Sequence, residues 1–189
     1  LMKNACEKQV LDVLHFLNST LTKTEIISLI LSQDSFENSP LIYAVKFESL
    51  QVVEIFWELI EQKMTKEDQK ELLMMENEQL LTALQESAVG SSFNFIAEIY
   101  GKFFTTEEIK EIIMKFDNRN LPFVSDVMLF SSSETCQNVA DLFKNLFKHE
   151  KLKLQNFLSH RDDRGHTVFT FLSLDEYKFK NQIKIFEKL

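Results

Sequence analysis

The feature of the sequence that most constrains the fold is an internal repeat with a period of about 43 residues. Four segments of 14 residues align without a gap, and each ends in Asp or Asn. The segments are LTKTEIISLILSQD (21–34), MTKEDQKELLMMEN (64–77), FTTEEIKEIIMKFD (104–117) and HEKLKLQNFLSHRD (149–162). A sequence that repeats at such a period is typical of a protein that stacks copies of one small structural unit.

Three of the four segments begin with the sequence signal of a helix N-terminus. In each, a Thr is followed three residues later by an acidic residue; the pairs are Thr22 with Glu25, Thr65 with Asp68 and Thr105 with Glu108. In this arrangement the Thr oxygen accepts a backbone N–H of the first turn, and the carboxylate interacts favourably with the helix N-terminus. The repeat therefore predicts three helices that begin immediately after these threonines.

Two further helical patterns flank each segment. In residues 52–60, VVEIFWELI, the apolar residues recur at the spacing of an amphipathic helix. The same stripe is found upstream of the other segments in residues 10–17, 93–104 and 139–147, and in shortened form in 183–189. Short helix starts follow the segments in residues 39–45, 82–89, 121–129 and 167–172. With 3 Gly and 2 Pro in 189 residues, the composition also favours helices over a turn-rich β fold.

These patterns predict an all-α fold, a helical-repeat solenoid that forms one domain over residues 1–189. Each unit holds a turn, a short helix, a loop, a long amphipathic helix and an extra capped helical turn. The complete units are 35–77, 78–117 and 118–162, with partial units at 1–34 and 163–189. Because solenoids need polar end caps and this chain begins and stops within long-helix patterns, we expect a piece of a longer protein. Atypical terminal helices that close the stack are the alternative.

The turns and short helices share a residue pattern. The fourth copy has Asp162, Gly165 and Thr167; the first has Asp34, Ser39, Pro40, Leu41 and Ala44; the second has Asn77, Thr82, Leu84 and Ser87; the third has Asp117, Pro122 and Phe123, with a turn one residue shorter. These positions resemble the ankyrin repeat, although the glycine occurs once, the consensus His is replaced in every copy, and the period exceeds the usual 33 or so residues. A different helical-pair solenoid, such as HEAT or TPR, is the alternative.

The resemblance implies a scaffold that binds a protein partner through its protruding turns and the outward positions of its short helices. The implied turn residues are Glu37, Glu78, Arg119, Arg164 and His166, and the implied short-helix residues are Tyr43, Lys46, Phe47, Glu86, Ser125 and Met128. The residues themselves add Phe36, an apolar ring among polar neighbours in a turn, where it either anchors a partner or packs under the next turn.

The charge distribution argues against a nucleic-acid partner. Residues 1–100 carry 7 Lys and Arg against 16 Asp and Glu, a balance of −9, whereas residues 101–189 carry 14 against 13, a balance of +1. Binding to phosphates needs a basic stripe, and the first half would repel them. A protein that is basic along part of its contact surface suits this distribution better.

Cysteine usage and hydropathy bear on location. Cys6 and Cys136 lie 130 positions apart, and neither has a second Cys or a His at ligand spacing. This pattern favours reduced thiols and therefore an intracellular, cytoplasmic protein. A nuclear location is the alternative. No apolar run approaches the roughly 18 residues of a membrane span, so we expect no direct membrane insertion.

The sequence offers little for catalysis or for a cofactor. HRDDRGH (160–166) is the best metal candidate, but a polar repeat turn explains all its residues. With three glycines there is no phosphate-binding loop, and no nucleophile motif surrounds Cys136. We therefore expect a non-enzymatic interaction scaffold without a cofactor. The alternatives are a cytosolic structural or regulatory repeat region of a larger membrane protein or toxin, and an enzyme whose site leaves no linear signature.

Overall fold

The computed structural model of the chain describes residues 2–47, 49–168, 170, 184 and 185, with side chains from residue 8 onward. Within these residues there are eleven helices and no β-strand, so the predicted all-α class is confirmed. The helices are α1 (Met2–Thr20), α2 (Lys23–Ile30), α3 (Pro40–Phe47), α4 (Leu50–Lys63), α5 (Lys66–Met74), α6 (Ala83–Ser87), α7 (Phe93–Phe103), α8 (Thr106–Ile113), α9 (Val124–Phe130), α10 (Ser133–Leu146) and α11 (Lys151–Leu158). The shortened stripe at 183–189 and the short helix at 167–172 lie largely outside the described residues.

The three predicted helix N-termini are confirmed. Helices α2, α5 and α8 each begin with a capping box, in which the Thr hydroxyl accepts a backbone N–H and the acidic side chain accepts the N–H of the Thr. In α8, the distances are 3.3 Å from the Glu108 nitrogen to Thr105 Oγ1 and 2.7 Å from the Thr105 nitrogen to Glu108 Oε2. Hydrogen bonds from its N-cap, Thr105, and from Lys70 hold the pKa of Glu108 below its ordinary value.

Four turns, which begin at Asp34, Asn77, Asp117 and Asp162, have one hydrogen-bond pattern. In each, the side-chain Oδ1 of the first residue accepts the backbone N–H groups of the residues two and four positions later. The fourth residue of each turn has a positive φ; these residues are Glu37 (60°), Leu80 (63°), Asn120 (57°) and Gly165 (80°). Only the last is a glycine, the residue that adopts this conformation without strain.

The shared pattern corrects one sequence-based expectation. The third turn is not one residue shorter than the others, because Asp117 Oδ1 accepts from Arg119 and Leu121 at the same two offsets as in the other three turns, both at 2.9 Å. The difference lies after the turn, where α9 begins at Val124, seven residues after Asp117, while α3 begins six residues after Asp34. Phe123, six residues after Asp117, already has helical dihedral angles, so the turn has the same length in the third copy as in the first.

Corresponding positions of neighbouring turns are joined by backbone hydrogen bonds. The Glu78 nitrogen donates to the Phe36 carbonyl at 3.0 Å, and the Asn118 nitrogen donates to the Gln79 carbonyl at 3.1 Å. In addition, the side-chain nitrogen of Asn118 donates to the Glu78 carbonyl at 2.9 Å. The first three turns thus form a connected row along one edge of the molecule.

The capped helices of neighbouring segments also contact each other through lysines. Lys70 on α5 pairs with Glu108 on α8 at 3.2 Å and lies over the Phe104 ring at 4.9 Å from its centroid. Lys110, at the equivalent place on α8, pairs with Glu150 and lies 5.7 Å from the centroid of Phe147. The hydrogen bonds that Lys110 donates to Glu150 and to Glu107, above all the first, raise the pKa of Lys110. The capped helices are therefore joined from one segment to the next as well.

Two residues fix the packing between short and long helices. The hydroxyl of Tyr100, fully buried on α7, donates to the Leu73 carbonyl and accepts from the Leu84 nitrogen at 3.4 Å. Gly90, in the loop before α7, lies against the first unit so closely that a Cβ there would be 2.4 Å from the carbonyl oxygen of Val45. Both contacts depend on the residue type. At position 100, Phe would lack the hydroxyl, and at position 90, the Cβ of Ala would collide with the backbone oxygen of Val45.

Candidate functional site

An open groove of about 350 Å³ crosses the three short helices on the side of the turns. Its lining includes Lys46 and Phe47 from α3, Gln85 and Glu86 from α6, Arg119 from the third turn, and Asp126 and Phe130 from α9. The groove forms because α3 packs against α6 and because the turns hold the three short helices in register. It combines apolar rings at its edges with charged groups on its floor.

The two ends of the groove carry exposed aromatic rings. The side chain of Phe47 is 61% exposed and that of Phe130 is 70% exposed, although most phenylalanines of the described chain are packed in the core. Tyr43, 52% exposed, extends the first of these surfaces, with its ring centroid 4.8 Å from that of Phe47. Apolar rings left in solvent beside a concave surface are typical of protein-binding sites.

On the floor of the groove, Glu86 is nearly inaccessible to solvent, with 3% of its surface exposed. Its Oε1 accepts hydrogen bonds from Lys46 Nζ at 2.9 Å and from Asn77 Nδ2 at 2.7 Å. Lys46 and Glu86 are 40 positions apart and lie on neighbouring short helices. The pair therefore connects two units across the groove.

Arg119 forms the second charged cluster. Its guanidinium contacts Asp126 Oδ2 at 2.7 Å and Asp117 Oδ2 at 2.5 Å, and its Nε donates to Asp117 Oδ2 at 2.7 Å. Burial raises the pKa of Asp126 above its ordinary value; Arg119 opposes the shift, while the negative charges of Asp117 and Glu86 add to it. Two carboxylates, Glu86 and Asp126, and two cations, Lys46 and Arg119, therefore line the groove, and the buried Asp117 contacts Arg119 from outside the lining.

The structure brings four of the predicted site residues to this groove: Lys46, Phe47, Glu86 and Arg119. Tyr43 lies beside it, next to Phe47. Three others, Phe36, Glu37 and Glu78, are exposed on the first two turns. Of the two arrangements considered for Phe36, the ring is the exposed one, with 57% of its surface accessible.

Besides Glu86, which is buried on the floor of the groove, two predicted site residues do not face outward. Ser125 is 1% exposed and Met128 is fully buried, so neither presents its side chain on the surface. A third turn one residue shorter places the predicted outward positions of α9 one residue too early in the chain. Counted from Asp117 at the offsets of Tyr43 and Phe47 from Asp34, the outward positions are Asp126 and Phe130.

The remaining predicted residues, Arg164 and His166, lie on the fourth turn. Arg164 is exposed, and its backbone nitrogen donates to Asp162 Oδ1 at 2.9 Å. His166 is partly buried, and its Nδ1 lies 3.2 Å from Asp162 Oδ2. His166 therefore closes the turn onto its first residue, and the sequence DDRGH has a structural role.

Sequence reasoning missed Asp126, Phe130 and Gln85 as groove residues. Phe130 stands 13 residues after Asp117, as Phe47 stands 13 residues after Asp34, and Asp126 corresponds to Tyr43 in the same way. Counting every unit from its first turn residue would have found both. Nothing in the sequence indicates that Gln85 lies in the groove with its side-chain Nε2 buried and without a hydrogen-bond partner in the described chain.

Other kinds of site were also sought in the described part of the chain. There, no group of three or more His, Cys, Asp and Glu side chains is placed to hold a metal ion. None of the described helices has the length and apolar character needed to cross a membrane. Cys136 is a buried cysteine whose thiol donates to the Val127 carbonyl, while the side chain of Cys6 lies outside the described part.

Comparison of the chain with protein-family models, curated proteins and solved structures finds no match.

Proposed function

We propose that the chain is an ankyrin-like helical-repeat protein that acts as a non-enzymatic scaffold and binds a protein partner in the groove. The observation that carries the proposal is the pair of exposed rings, Phe47 and Phe130, at equivalent positions of two units on opposite sides of a concave surface. Exposed aromatic side chains beside a groove provide the anchors on which protein interfaces depend most.

The contacts between neighbouring units support the solenoid part of the proposal. Each unit of a solenoid contacts its neighbours at corresponding positions, so its contacts recur at the period of the repeat. Here the side-chain pairs Lys46–Glu86, Lys70–Glu108 and Lys110–Glu150 span 40, 38 and 40 positions. A scaffold of this kind binds by shape and charge at a fixed surface, and no step of chemistry is required of it.

Site-specific photo-crosslinking in an extract of the source cells tests the proposal. The photoreactive residue p-benzoylphenylalanine replaces Phe47 in one variant, Phe130 in a second and Phe16 in a third. Phe16, on α1, is a matched control because it is 62% exposed and lies outside the groove lining. We expect the two groove positions to yield the same crosslinked protein and the control position not to yield it. Equal crosslinking from Phe16, or none from either groove position, would refute the proposal.

A further inference from the structure

The charged cluster at the groove has more negative than positive groups when it is counted with Asp117, a buried residue outside the lining that contacts Arg119. Three carboxylates, those of Glu86, Asp117 and Asp126, meet two cations, Lys46 and Arg119. Because these groups are partly or fully shielded from water, the unbalanced charge is less screened than it would be on an open surface. Burial also keeps the pKa of Asp126 above its ordinary value in spite of Arg119, so its charged form is poorly solvated where it lies.

The walls of the groove complement that charge. The faces of aromatic rings attract cations, and the groove itself contains such a contact, since Lys46 Nζ lies 5.7 Å from the ring centroid of Phe47. Phe47 and Phe130 are exposed and line the groove that also contains the carboxylates. A long cationic side chain matches both, because its methylene groups pack on apolar surface while its charged end reaches polar groups.

A second observation indicates that the groove is incomplete without an occupant. Gln85 is 2% exposed, its Oε1 accepts from the nitrogen and hydroxyl of Thr82, and its buried Nε2 has no acceptor within the described residues. A buried donor without an acceptor destabilises the protein that carries it. A backbone carbonyl of a peptide in the groove is the kind of acceptor that this amide lacks.

We propose that the groove recognises a lysine or arginine side chain of a protein partner, with its aliphatic part against Phe47 and Phe130 and its charge at Asp126 and Glu86. This inference rests on the proposed function, since it names the chemistry of the partner for the same groove. The acidic balance of residues 1–100, −9, favours the same class of partner because it attracts basic segments. A basic residue flanked by apolar residues is the expected recognition element.

Selection from a displayed library of random peptides tests both statements separately. Peptides selected on the wild-type protein are synthesised, and their Kd values are measured by fluorescence polarisation. The proteins are the wild type, the double variant Phe47→Ala with Phe130→Ala, and the control Phe16→Ala. Circular dichroism and thermal unfolding identify variants that do not fold; should the double variant not fold, the single variants Phe47→Ala and Phe130→Ala replace it.

If the groove binds peptides, the groove variant weakens binding about tenfold or more, and Phe16→Ala leaves it unchanged. If it recognises a cation, changing the Lys or Arg of the peptide to Gln weakens binding about tenfold. The loss of affinity caused by this change in the peptide is smaller when it is measured on the variant Asp126→Asn. It stays the same on the control variant Asp141→Asn, because Asp141 is an exposed acid on α10.

The two proposals fail in different ways. The cation proposal is overturned if peptides that need the groove bind equally well with Gln in place of the basic residue, or carry an acidic residue there. Groove binding is not contradicted by that result. A selection that yields no peptide, or only peptides insensitive to the groove variant, contradicts groove binding and the cation proposal together.

Discussion

The backbone nitrogen of Glu78 donates a hydrogen bond to the carbonyl oxygen of Phe36, 3.0 Å away and 42 positions earlier in the chain. The same bond recurs one unit later between Asn118 and Gln79. Neighbouring turns are therefore held in register by backbone atoms, whatever side chains the turns carry. This leaves the outward side chains free to vary, while the spacing of the short helices stays fixed.

The capping boxes give the simplest test of the repeated helix starts. Thr105→Ala removes the side-chain oxygen that accepts the Glu108 N–H, and we expect a loss of about 1 kcal/mol in the free energy of unfolding. Thr106→Ala, one residue further on, is the control because Thr106 is exposed and does not cap the helix. Urea denaturation followed by circular dichroism measures both. Equal losses would show that the cap contributes nothing of its own.

Three glycines in three environments predict an order of stability. Gly101→Ala, within α7 and with no atom near the added Cβ, stabilises by about 0.5–1 kcal/mol. Gly165→Ala is strained by its φ of 80° and costs about 1–2 kcal/mol. Gly90→Ala is the most destabilising, by roughly 2–3 kcal/mol, because the Cβ meets the backbone oxygen of Val45. Thermal unfolding of the three variants checks the order, and a Gly90 variant as stable as the wild type contradicts this packing.

Tyr100 tests the buried connection between α5, α6 and α7. Tyr100→Phe keeps the ring and its stacking on Phe104 but leaves the Leu73 carbonyl without the hydroxyl donor, so we expect a cost of about 1–3 kcal/mol. The buried environment raises the pKa of Tyr100, and its phenol therefore stays protonated at neutral pH. Chemical denaturation measures the loss. Tyr43→Phe, at an exposed ring, is the control and should change stability little.

The pKa of Glu108 predicts the pH dependence of the capped helix. Because hydrogen bonding lowers this pKa in the folded protein below 4.5, the charged carboxylate stabilises the fold above that pH. This contribution disappears as the pH falls through the folded-state pKa. The difference in Tm between the wild type and Glu108→Gln should therefore be present at pH 7 and shrink below pH 4.5. Glu111→Gln, an exposed acid of the same helix, is the control, and a pH-independent difference at position 108 argues against the mechanism.

The fold class and the helix starts could be predicted from the sequence because they depend on local chemistry. Thr22, Thr65 and Thr105 cap the helices that follow them, and each capping box involves residues only three positions apart. The turns were recognised from Asp34, Asn77, Asp117 and Asp162 for the same reason. Signals that act within one turn of a helix are visible in a single sequence.

The floor of the groove depends on contacts that the sequence does not reveal. Glu86 was expected on the surface, and it is buried because Lys46 and Asn77 satisfy its carboxylate. The misplacement of Ser125 and Met128 has another origin. Aligning Pro122 with Pro40 implies a third turn that is one residue shorter, because Pro122 follows Asp117 by five residues and Pro40 follows Asp34 by six. The constant offset from Asp117 predicts the outward positions correctly.

The measurement that tests the central claim most directly uses the partner that crosslinking identifies, purified without the crosslink. Its affinity is measured for three proteins: the wild type, the double variant Phe47→Ala with Phe130→Ala, and Phe16→Ala. If the groove is the binding site, the double variant raises the Kd about tenfold or more, and the control leaves it unchanged. An unchanged Kd for a folded double variant would contradict the proposal that this chain binds its partner in the groove.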